Sequence, residues 1–485
     1  MLDIQLLNKQ FIAGKWIDGQ SSKTLKDLNP YNGELITEFK MASTDDVDQA
    51  YQAAQDAMEE WNQINAYKQR DILENAVKYI EEHEEDIANI IIDELGGTRL
   101  KAAFEIGLVK NMIKEAATFP LKKEGKILPS VEDGKENRLY RLPAGVVGVI
   151  SPFNFPFFLS IKSIAPALGA GNGVVLKAHE ETPIVGGTLI AKIFEEAGVP
   201  KGLFNVIVTD IKEIGDSFVE HTIPRIISFT GSTAVGRHIA QVAAKNFKKP
   251  LLELGGNSAF IVLDDADIDY AVNAAAFSRF THQGQICMSA NRVMVHESIY
   301  DEFVSKFKEK IASLKTGDPR DPDTVIGPVV NEGAAQNLER LIEKGIEQGA
   351  TAVLKGNISG NMVEPTILAD VTTDMDVAQE EMFGPVVGVM KFKTDEEAIQ
   401  IANDAQFGLS GAVHTADGER GVQLAKQVQT GMIHVNDITI NDEPIVAFGG
   451  EKQSGIGRLN GEWSLEEFTT LKWISINHGQ RQLPY

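Results

Sequence analysis

The strongest nucleophile in the sequence is its single cysteine, Cys287, which lies in a segment of mostly small residues from Gly284 to Ala290. A thiolate is the best protein nucleophile toward an electrophilic carbonyl carbon near neutral pH. The usual thiol pKa is about 8.5, so a positive local field or a nearby base would favour the reactive form. A lone cysteine is also commonly a small buried hydrophobe, and both interpretations stay open at this point.

Two polar residues could assist such a nucleophile. Glu253 ends an apolar run just before Gly255 and Gly256, and burial there would raise the pKa of its carboxyl toward the range of a general base. The alternative is a strand-edge glutamate paired with a lysine. Asn154 stands among aromatic residues and prolines, where its amide could donate to a developing oxyanion. The alternative is a turn formed before Pro156.

Two glycine clusters could meet a nucleotide. The cluster at 169–173 precedes a predicted strand instead of following one, so we interpret it as a close-packed turn. Residues 226–237 have the order strand, turn, helix, with Gly231 and Ser232 in the turn. The free N–H groups of that helix start and the Ser232 hydroxyl would suit an anion. A helix merely capped by serine explains the same pattern.

Lys177 and Glu180 follow another predicted strand, at a sheet end where a ribose could lie. A lysine donates to a hydroxyl and a carboxylate accepts from one. A carboxylate at an adenosine ribose repels a 2′-phosphate, so Glu180 favours NAD over NADP. A solvated loop is the alternative, and His179 between them receives no role.

Composition limits the function classes. The chain has 485 residues and a formal net charge of −23, which argues against nucleic acid or an anionic membrane as the main partner. One cysteine excludes an intramolecular disulfide and a cysteine-rich zinc site, and we predict no metal. Residues 1–5 lack the pattern of a signal peptide, and we expect a reducing, cytoplasmic location. Prolines and polar residues interrupt the apolar stretch 144–176, which predicts buried strands and a helix.

Alternating elements must position these side chains. A short strand with a turn is predicted at 11–16, and Ser43 with Asp46 predicts a capping box. Helical spacing predicts further helices at 69–85 and 101–118. The composition of the segment 120–136 is typical of a linker or an exposed hairpin. Beyond these, the pattern predicts strands at 145–151, 174–177, 203–208, 226–229 and 259–263 and helices at 185–197 and 234–244. Such alternation is typical of an α/β fold with a parallel sheet, and a second α/β series runs from about 267 to 435.

Taken together, these residues resemble the aldehyde dehydrogenase superfamily. The resemblance rests on the order Asn154, Lys177, Gly231-Ser232, Glu253, Cys287, and on the interval between Glu253 and Cys287. Residues 381–385, Pro444 and the glycine-rich block 448–458 are similar to further family motifs, and the resemblance covers essentially the whole chain.

Segments 435–444 and 481–485 are similar to the branch that oxidises aromatic aldehydes, the benzaldehyde and vanillin dehydrogenases. The runner-up is an aliphatic or semialdehyde enzyme. Binding the carboxylate of a semialdehyde would require a lysine or arginine in the substrate tunnel. No basic residue immediately surrounds Cys287 in the sequence, and Arg292 is the nearest arginine. The aromatic cluster Phe153, Phe155, Phe157 and Phe158 suits a flat ring and equally suits ordinary core packing.

The resemblance implies a role for each matching residue. Cys287 is the nucleophile, Glu253 the general base, and Asn154 with the Cys287 N–H the oxyanion hole, while Lys162 supports the site. The residues implied in cofactor binding are Ser151, Pro152, Phe153, Lys177, Glu180, Phe229, Thr230, Gly231, Ser232, Gly236, Leu254, Glu381 and Phe383. Those implied in lining the substrate tunnel are Phe155, Ile161 and Phe448. The implied reaction is NAD(P)-dependent oxidation of an aldehyde through a thiohemiacetal and a thioester, which water then hydrolyses.

The implied fold is an α/β, aldehyde dehydrogenase-like architecture. A Rossmann-type NAD-binding domain would span 1–120 and 142–255, and an α/β catalytic domain 256–453. Residues 121–141 and 454–485 would form a small β oligomerisation extension, giving a homodimer or homotetramer. The expected partner is a small-molecule aldehyde, and the expected cofactor is NAD, with NADP as the alternative. Two other classes, a cofactor-independent thiol esterase and a non-catalytic nucleotide-binding protein, leave part of this residue set without a use.

Overall fold

The computed structural model describes residues 4–481 and 483–485. Met1, Leu2, Asp3 and Gln482, which belong to the terminal patterns considered above, lie outside the described residues. Among the helices of the described residues, none combines the length and the apolar character that a membrane crossing requires.

Strands of two to nine residues form most of the framework. Their bounds are β1 (Gln10–Ile12), β2 (Lys15–Ile17), β3 (Thr24–Leu28), β4 (Leu35–Lys40), β5 (Lys126–Leu128), β6 (Lys135–Pro143), β7 (Val147–Ile150), β8 (Val174–Lys177), β9 (Phe204–Ile207), β10 (Ile226–Thr230), β11 (Lys249–Glu253), β12 (Ser258–Val262), β13 (Ala290–His296), β14 (Thr351–Leu354), β15 (Ile358–Ser359), β16 (Met362–Val363), β17 (Thr366–Ala369), β18 (Val386–Phe392), β19 (Phe407–Gly408), β20 (Gly411–His414), β21 (His434–Val435), β22 (Glu451–Lys452), β23 (Gly455–Ile456) and β24 (Thr469–Asn477).

The helices cover the two large sheets. Their bounds are α1 (Thr44–Gln63), α2 (Ala66–Glu82), α3 (Glu84–Leu95), α4 (Arg99–Ala116), α5 (Pro156–Gly169), α6 (Leu189–Ala197), α7 (Ile211–Ile214), α8 (Ser217–Glu220), α9 (Thr233–Lys245), α10 (Ile268–Phe280), α11 (Tyr300–Ala312), α12 (Glu332–Glu347), α13 (Asp376–Gln379), α14 (Asp395–Asn403), α15 (Gly418–Ala425) and α16 (Gly461–Glu467). Short 3-10 turns occur at Ile4–Leu6, Phe119–Leu121 and Thr281–Gly284, and a π-helical turn at Ile184–Thr188.

The first sheet has the strand order β2-β1-β9-β8-β7-β10-β11-β23. Its central strands β9, β8, β7, β10 and β11 are parallel. Antiparallel strands lie on both sides, β1 followed by β2 next to β9, and β23 next to β11. The chain runs from β7 toward β8 and β9 on one side, and β10 and β11 lie on the other. In an open parallel sheet, ligands bind outside the carboxyl ends of the strands at such a switch point.

The second sheet has the order β14-β17-β18-β13-β12-β20-β21 and is parallel except for β14. Strand β11 of the first sheet ends at Glu253, and β12 of the second begins at Ser258. The short glycine-containing connection between them therefore passes from one sheet to the other.

A third sheet of order β24-β6-β5 is antiparallel, with β24 and β6 paired over their full length. It extends away from the core, since most of β24 is exposed and Trp473 has 64% of its surface accessible. The predicted alternatives for 120–136 are thereby resolved: residues 126–128 form a strand paired with β6.

Several predicted elements are confirmed with shifted ends. The capping box exists, since Asp46 N donates to Ser43 Oγ and Ser43 N donates to Asp46 Oδ2. The predicted helices at 69–85 and 101–118 begin earlier, at Ala66 and Arg99, because the side chains of Asn65 and Thr98 cap them.

The structure corrects two other predicted elements. The predicted single helix at 185–197 was wrong at its start, where a π-helical turn precedes α6. The predicted strand at 145–151 shortens to β7, because Gly145 has a φ of +131° and its N–H bonds the Asn172 side chain.

The glycine cluster at 169–173 is a close-packed turn, as predicted. A Cβ on Gly173 would stand 2.3 Å from Ala54 O, and one on Gly169 would stand 2.5 Å from Ala116 O. Helix α5 just before it is buried on every side, which confirms the prediction of a buried helix within 144–176.

Candidate active site

A cavity of about 760 Å³ opens at the carboxyl ends of β7, β8, β10 and β11, at the switch point of the first sheet. Residues that precede strands β13 and β18 of the second sheet form its opposite wall. The sequence-predicted residues that line it are Ser151, Pro152, Phe153, Asn154, Lys177, Glu180, Phe229, Thr230, Gly231, Ser232, Glu253, Leu254, Cys287, Glu381 and Phe383. The fold thus brings most of the candidate residues to one place.

Helix α9 points its amino terminus into this cavity. Ser232 caps the helix, accepting from Val235 N at 3.4 Å, and Gly231 and Ser232 both line the wall. The capped helix and the anion site are therefore compatible interpretations of one structure. Gly236 stands behind the wall, where a Cβ would lie 2.3 Å from Leu254 Cδ2. Its missing side chain lets Leu254 pack against α9.

Lys177 and Glu180 form a pair at the end of β8, with Lys177 Nζ donating to Glu180 Oε1 at 2.5 Å. Burial works to raise the pKa of the Glu180 carboxyl, but Lys177 and His179 together lower it below its usual value. Burial also lowers the pKa of His179 to about 4, so this ring is neutral at pH 7. It packs against Phe153 and lines the cavity, a position that sequence reasoning did not predict.

Cys287 is half-buried and faces the cavity. Burial raises the pKa of its thiol to about 12, with Glu381 and Glu253 adding to the rise and Lys162 opposing it. The opposing effect of Lys162 is thus outweighed, and the thiol is protonated at pH 7. A Cβ on Gly256 would stand 2.0 Å from Cys287 O, so only glycine lets the two sheets approach at this point.

Asn154 is fixed to the segment that carries the cysteine. Its Nδ2 donates to Gln285 O at 2.9 Å, and the side chain is buried. One amide proton is occupied by this bond, which leaves the second for a ligand. The start of α5 just beyond it is anchored by Glu105, whose Oε1 accepts from Phe157 N and Phe158 N.

Glu253 is buried at the end of β11 and faces the same cavity. Burial raises the pKa of its carboxyl to about 8, and Lys162 partly opposes this shift. Its Oε2 is buried with no hydrogen-bond partner among residues 4–481 and 483–485. An unpartnered buried carboxylate with a raised pKa has the properties of a general base.

Glu381 and Phe383 approach from the second sheet. Glu381 Oε1 accepts from Gly256 N at 3.0 Å, and burial raises the pKa of this carboxyl to about 7 although that bond opposes the shift. The Phe383 ring meets the edge of the Phe153 ring at 5.8 Å. Carboxylate and aromatic rings together make this end of the cavity suitable for a flat polar ring on a ribose.

Other predicted residues stand behind the cavity wall. Lys162 forms a buried ion pair with Asp442, and its Nζ lies over the Phe448 ring at 3.2 Å. Phe155 and Ile161 are buried in the main core. Sequence reasoning did not single out Asp442, the partner of Lys162 in this ion pair.

A buried lysine beneath Phe155 was also missed. Lys101 pairs with Glu105, and its Nζ lies over the Phe155 ring. The signal for this pair was available, since two opposite charges four residues apart lie within a helix that packs on the core. No group of three or more histidine, cysteine or acidic side chains within the described chain is arranged to hold a metal ion.

Comparison with known proteins decides the family. A profile described as "Aldehyde dehydrogenase family" matches residues 16–474. The chain belongs to the aldehyde dehydrogenase family. Over its full length it is 69% identical to the benzaldehyde dehydrogenase YfmT of Bacillus subtilis, covering all of both chains.

Two relatives come from Corynebacterium glutamicum. A vanillin dehydrogenase is 49% identical over 96% of this chain and 97% of its own. The crystal structure of an NAD-dependent benzaldehyde dehydrogenase superposes with a TM-score of 0.90 at 46% identity, covering 98% of this chain and 99% of that one. The predicted family and the predicted α/β, aldehyde dehydrogenase-like fold are confirmed.

Proposed function

We propose that this aldehyde dehydrogenase oxidises an aromatic aldehyde to the carboxylic acid with NAD as the oxidant. The observation that carries the proposal is that Cys287, Asn154 and Glu253 line one cavity. The amino terminus of α9 and the carboxylate of Glu180, which could bind a ribose, line the same cavity. The relatives named as benzaldehyde and vanillin dehydrogenases support the aromatic substrate.

The residues present fit NAD. The cavity volume of about 760 Å³ lies within the usual range for cofactor sites. The N–H groups at the start of α9 would hold the pyrophosphate, and the Lys177–Glu180 pair the adenosine ribose. Because the pKa of Glu180 is lowered, the group is a carboxylate at pH 7 and would repel the 2′-phosphate of NADP. Glu381 would hold the nicotinamide ribose.

The first chemical steps belong to Cys287 and Asn154. The thiol must lose its proton before it attacks, and the cavity contains two carboxylates that can accept it, Glu253 and Glu381. Sγ then attacks the aldehyde carbon, and the resulting alkoxide accepts from the Asn154 amide and the Cys287 N–H. When bound, oxidised nicotinamide would supply a positive charge and the acceptor for the hydride that leaves this carbon.

Glu253 performs the final step. After oxidation the acyl group remains on Cys287 Sγ as a thioester. Glu253 removes a proton from water, the hydroxyl oxygen adds to the acyl carbon, and the C–S bond breaks to release the acid. Burial of Glu253 keeps its carboxyl basic enough for this proton transfer at neutral pH.

We also propose the domain division of the sequence analysis and a homodimer or homotetramer. The strand β24 has a free edge on the third sheet and carries exposed Leu471 and Trp473, and proteins usually cover such an edge. Strand β23, within 454–485, pairs with β11 of the first sheet, so the extension proper begins at β24. A cytoplasmic location fits a nucleophile that must remain a free thiol.

The test is the purified enzyme with a panel of aromatic and aliphatic aldehydes and either NAD or NADP, following absorbance of the reduced nicotinamide. We expect the highest kcat/KM for benzaldehyde-like rings with NAD, and no reduction by Cys287→Ala. A preference for short aliphatic chains, or for NADP, would contradict the corresponding part of the proposal.

A further inference from the structure

A buried charge pair stands beside the proposed general base. Lys162 on α5 and Asp442 in the loop after β21 form an ion pair, with 1% and 4% of their side chains exposed. The mechanism above gives no task to Asp442. A buried ion pair contributes little to stability in comparison with apolar packing, so its presence next to reacting groups calls for another explanation.

The structure holds Asp442 firmly in place. Its Oδ1 accepts from Asn460 Nδ2 at 2.8 Å, while Oδ2 accepts from Lys162. Asn460 also donates to Glu443 O and Val446 O, and so fixes both sides of the loop. Asn460 itself has a φ of +75°, an unfavourable conformation for a residue other than glycine. This conformational cost thus occurs at Asn460, the residue that orients the Asp442 carboxylate.

The pair acts on the reacting groups through its field. The charges that act on the Glu253 carboxyl are those of Lys162 on α5, Asp442 on its loop and Arg458 after β23, and Glu253 in turn raises the pKa of Cys287 before β13. Lys162 and Arg458 favour the ionised carboxyl, whereas Asp442 disfavours it. The same two members of the pair act with opposite signs on the Cys287 thiol.

We propose that Asp442 is a positioning residue, which holds the Lys162 ammonium over Phe448 and offsets its charge so that Glu253 remains a strong base for thioester hydrolysis. This inference rests on the proposed function, because it assigns deacylation to Glu253. The Lys162 ammonium alone would hold Glu253 as a weak base, and Asp442 alone would hold it protonated. When both members of the pair are present, their charges offset each other, and the basicity of Glu253 stays between these two extremes.

Single-turnover deacylation tests the proposal. Enzyme with NAD is mixed with a smaller amount of carbonyl-labelled benzaldehyde, and the label bound to protein is followed after acid quench from about pH 5 to about pH 10. We expect the midpoint of the deacylation rate to move toward acid by about one pH unit in Asp442→Asn. The plateau rate falls at the same time, because a weaker base removes the proton from water.

The complementary variants should shift the midpoint of the deacylation rate in opposite directions. Lys162→Gln should move the midpoint toward alkaline pH by a similar amount, and the double variant should return it close to the wild-type value. Asp442→Glu should restore most of the plateau rate. Glu443→Gln removes the same charge from the exposed neighbouring position and should change nothing.

Each failure has a distinct appearance. A lower plateau with an unmoved midpoint in Asp442→Asn, or shifts of the same sign in both single variants, would overturn the role of Asp442. If Asp442→Asn does not fold, the alkaline shift of Lys162→Gln and its reversal in the double variant decide the matter. If neither protein-bound label nor labelled benzoate ever forms, the proposed function itself is wrong.

Discussion

Replacement of Glu253 by glutamine should separate the two halves of the reaction. The amide has nearly the shape of the carboxyl but cannot take a proton from water. Since Glu253 Oε2 has no hydrogen-bond partner in the described chain, the change breaks no observed bond at that atom. We therefore expect folding to be preserved, and thioester hydrolysis to slow by about a hundredfold to ten-thousandfold.

The pH dependence of the wild type follows from the same carboxyl. With a pKa of about 8, only about one Glu253 in ten is ionised at pH 7, and about one in a hundred at pH 6. Deacylation needs the ionised form. Its rate should rise close to tenfold per pH unit below pH 7 and level off above pH 8.

Rapid mixing of enzyme, NAD and benzaldehyde measures both effects. The wild type should show continued turnover, and Glu253→Gln a burst of about one reduced nicotinamide per site followed by a slow phase. Glu443→Gln, exposed on the surface, is the matched control. Steady turnover by Glu253→Gln at the wild-type rate, or a wild-type deacylation rate that stays flat between pH 6 and 8, would refute the assignment of the base.

Three further outcomes are expected. Asn154→Ala should lower kcat by about a hundredfold to a thousandfold with little change in KM, because one oxyanion donor is lost; an unchanged kcat would contradict this. Glu180→Gln should raise kcat/KM with NADP relative to NAD, measured with both nucleotides, since the carboxylate that repels the 2′-phosphate is gone. Burial raises the pKa of Asp27 to about 8, although Glu94 opposes the shift, so between about pH 4 and pH 8 the native state keeps a proton that the unfolded state releases. The free energy of unfolding should therefore fall as pH rises through that range, and urea titrations of Asp27→Asn should show a weaker fall.

Much of the site was predictable because its residues sit at ends of strands. Glu253 and Lys177 terminate apolar runs, and parallel strands bring such ends to one edge. Cys287 was recognisable by its family motif. The thiol pKa could not be predicted from the sequence, because burial together with Glu381 and Glu253 raises it, and only the fold creates these surroundings.

Asp442 illustrates the other limit of sequence reasoning. It lies 280 residues from Lys162, and no periodicity or spacing relates the two. Helix starts shifted for a simpler reason, because Asn65 and Thr98 compete as caps with the apolar pattern that defined the predicted bounds. Local sequence patterns thus locate helices and strands, whereas the tertiary fold determines which distant side chains pair with each other.

The late position of the loop that carries Asp442 has a consequence for biosynthesis. The ion pair with Lys162 joins residues 280 apart, and β23 reaches β11 from beyond residue 450. A nascent chain that has been synthesised as far as residue 440 contains Cys287, Asn154 and Glu253. It still lacks Asp442 and strand β23. Chains that end before residue 442 therefore lack the ion pair with Lys162, and we expect such truncated products to be inactive.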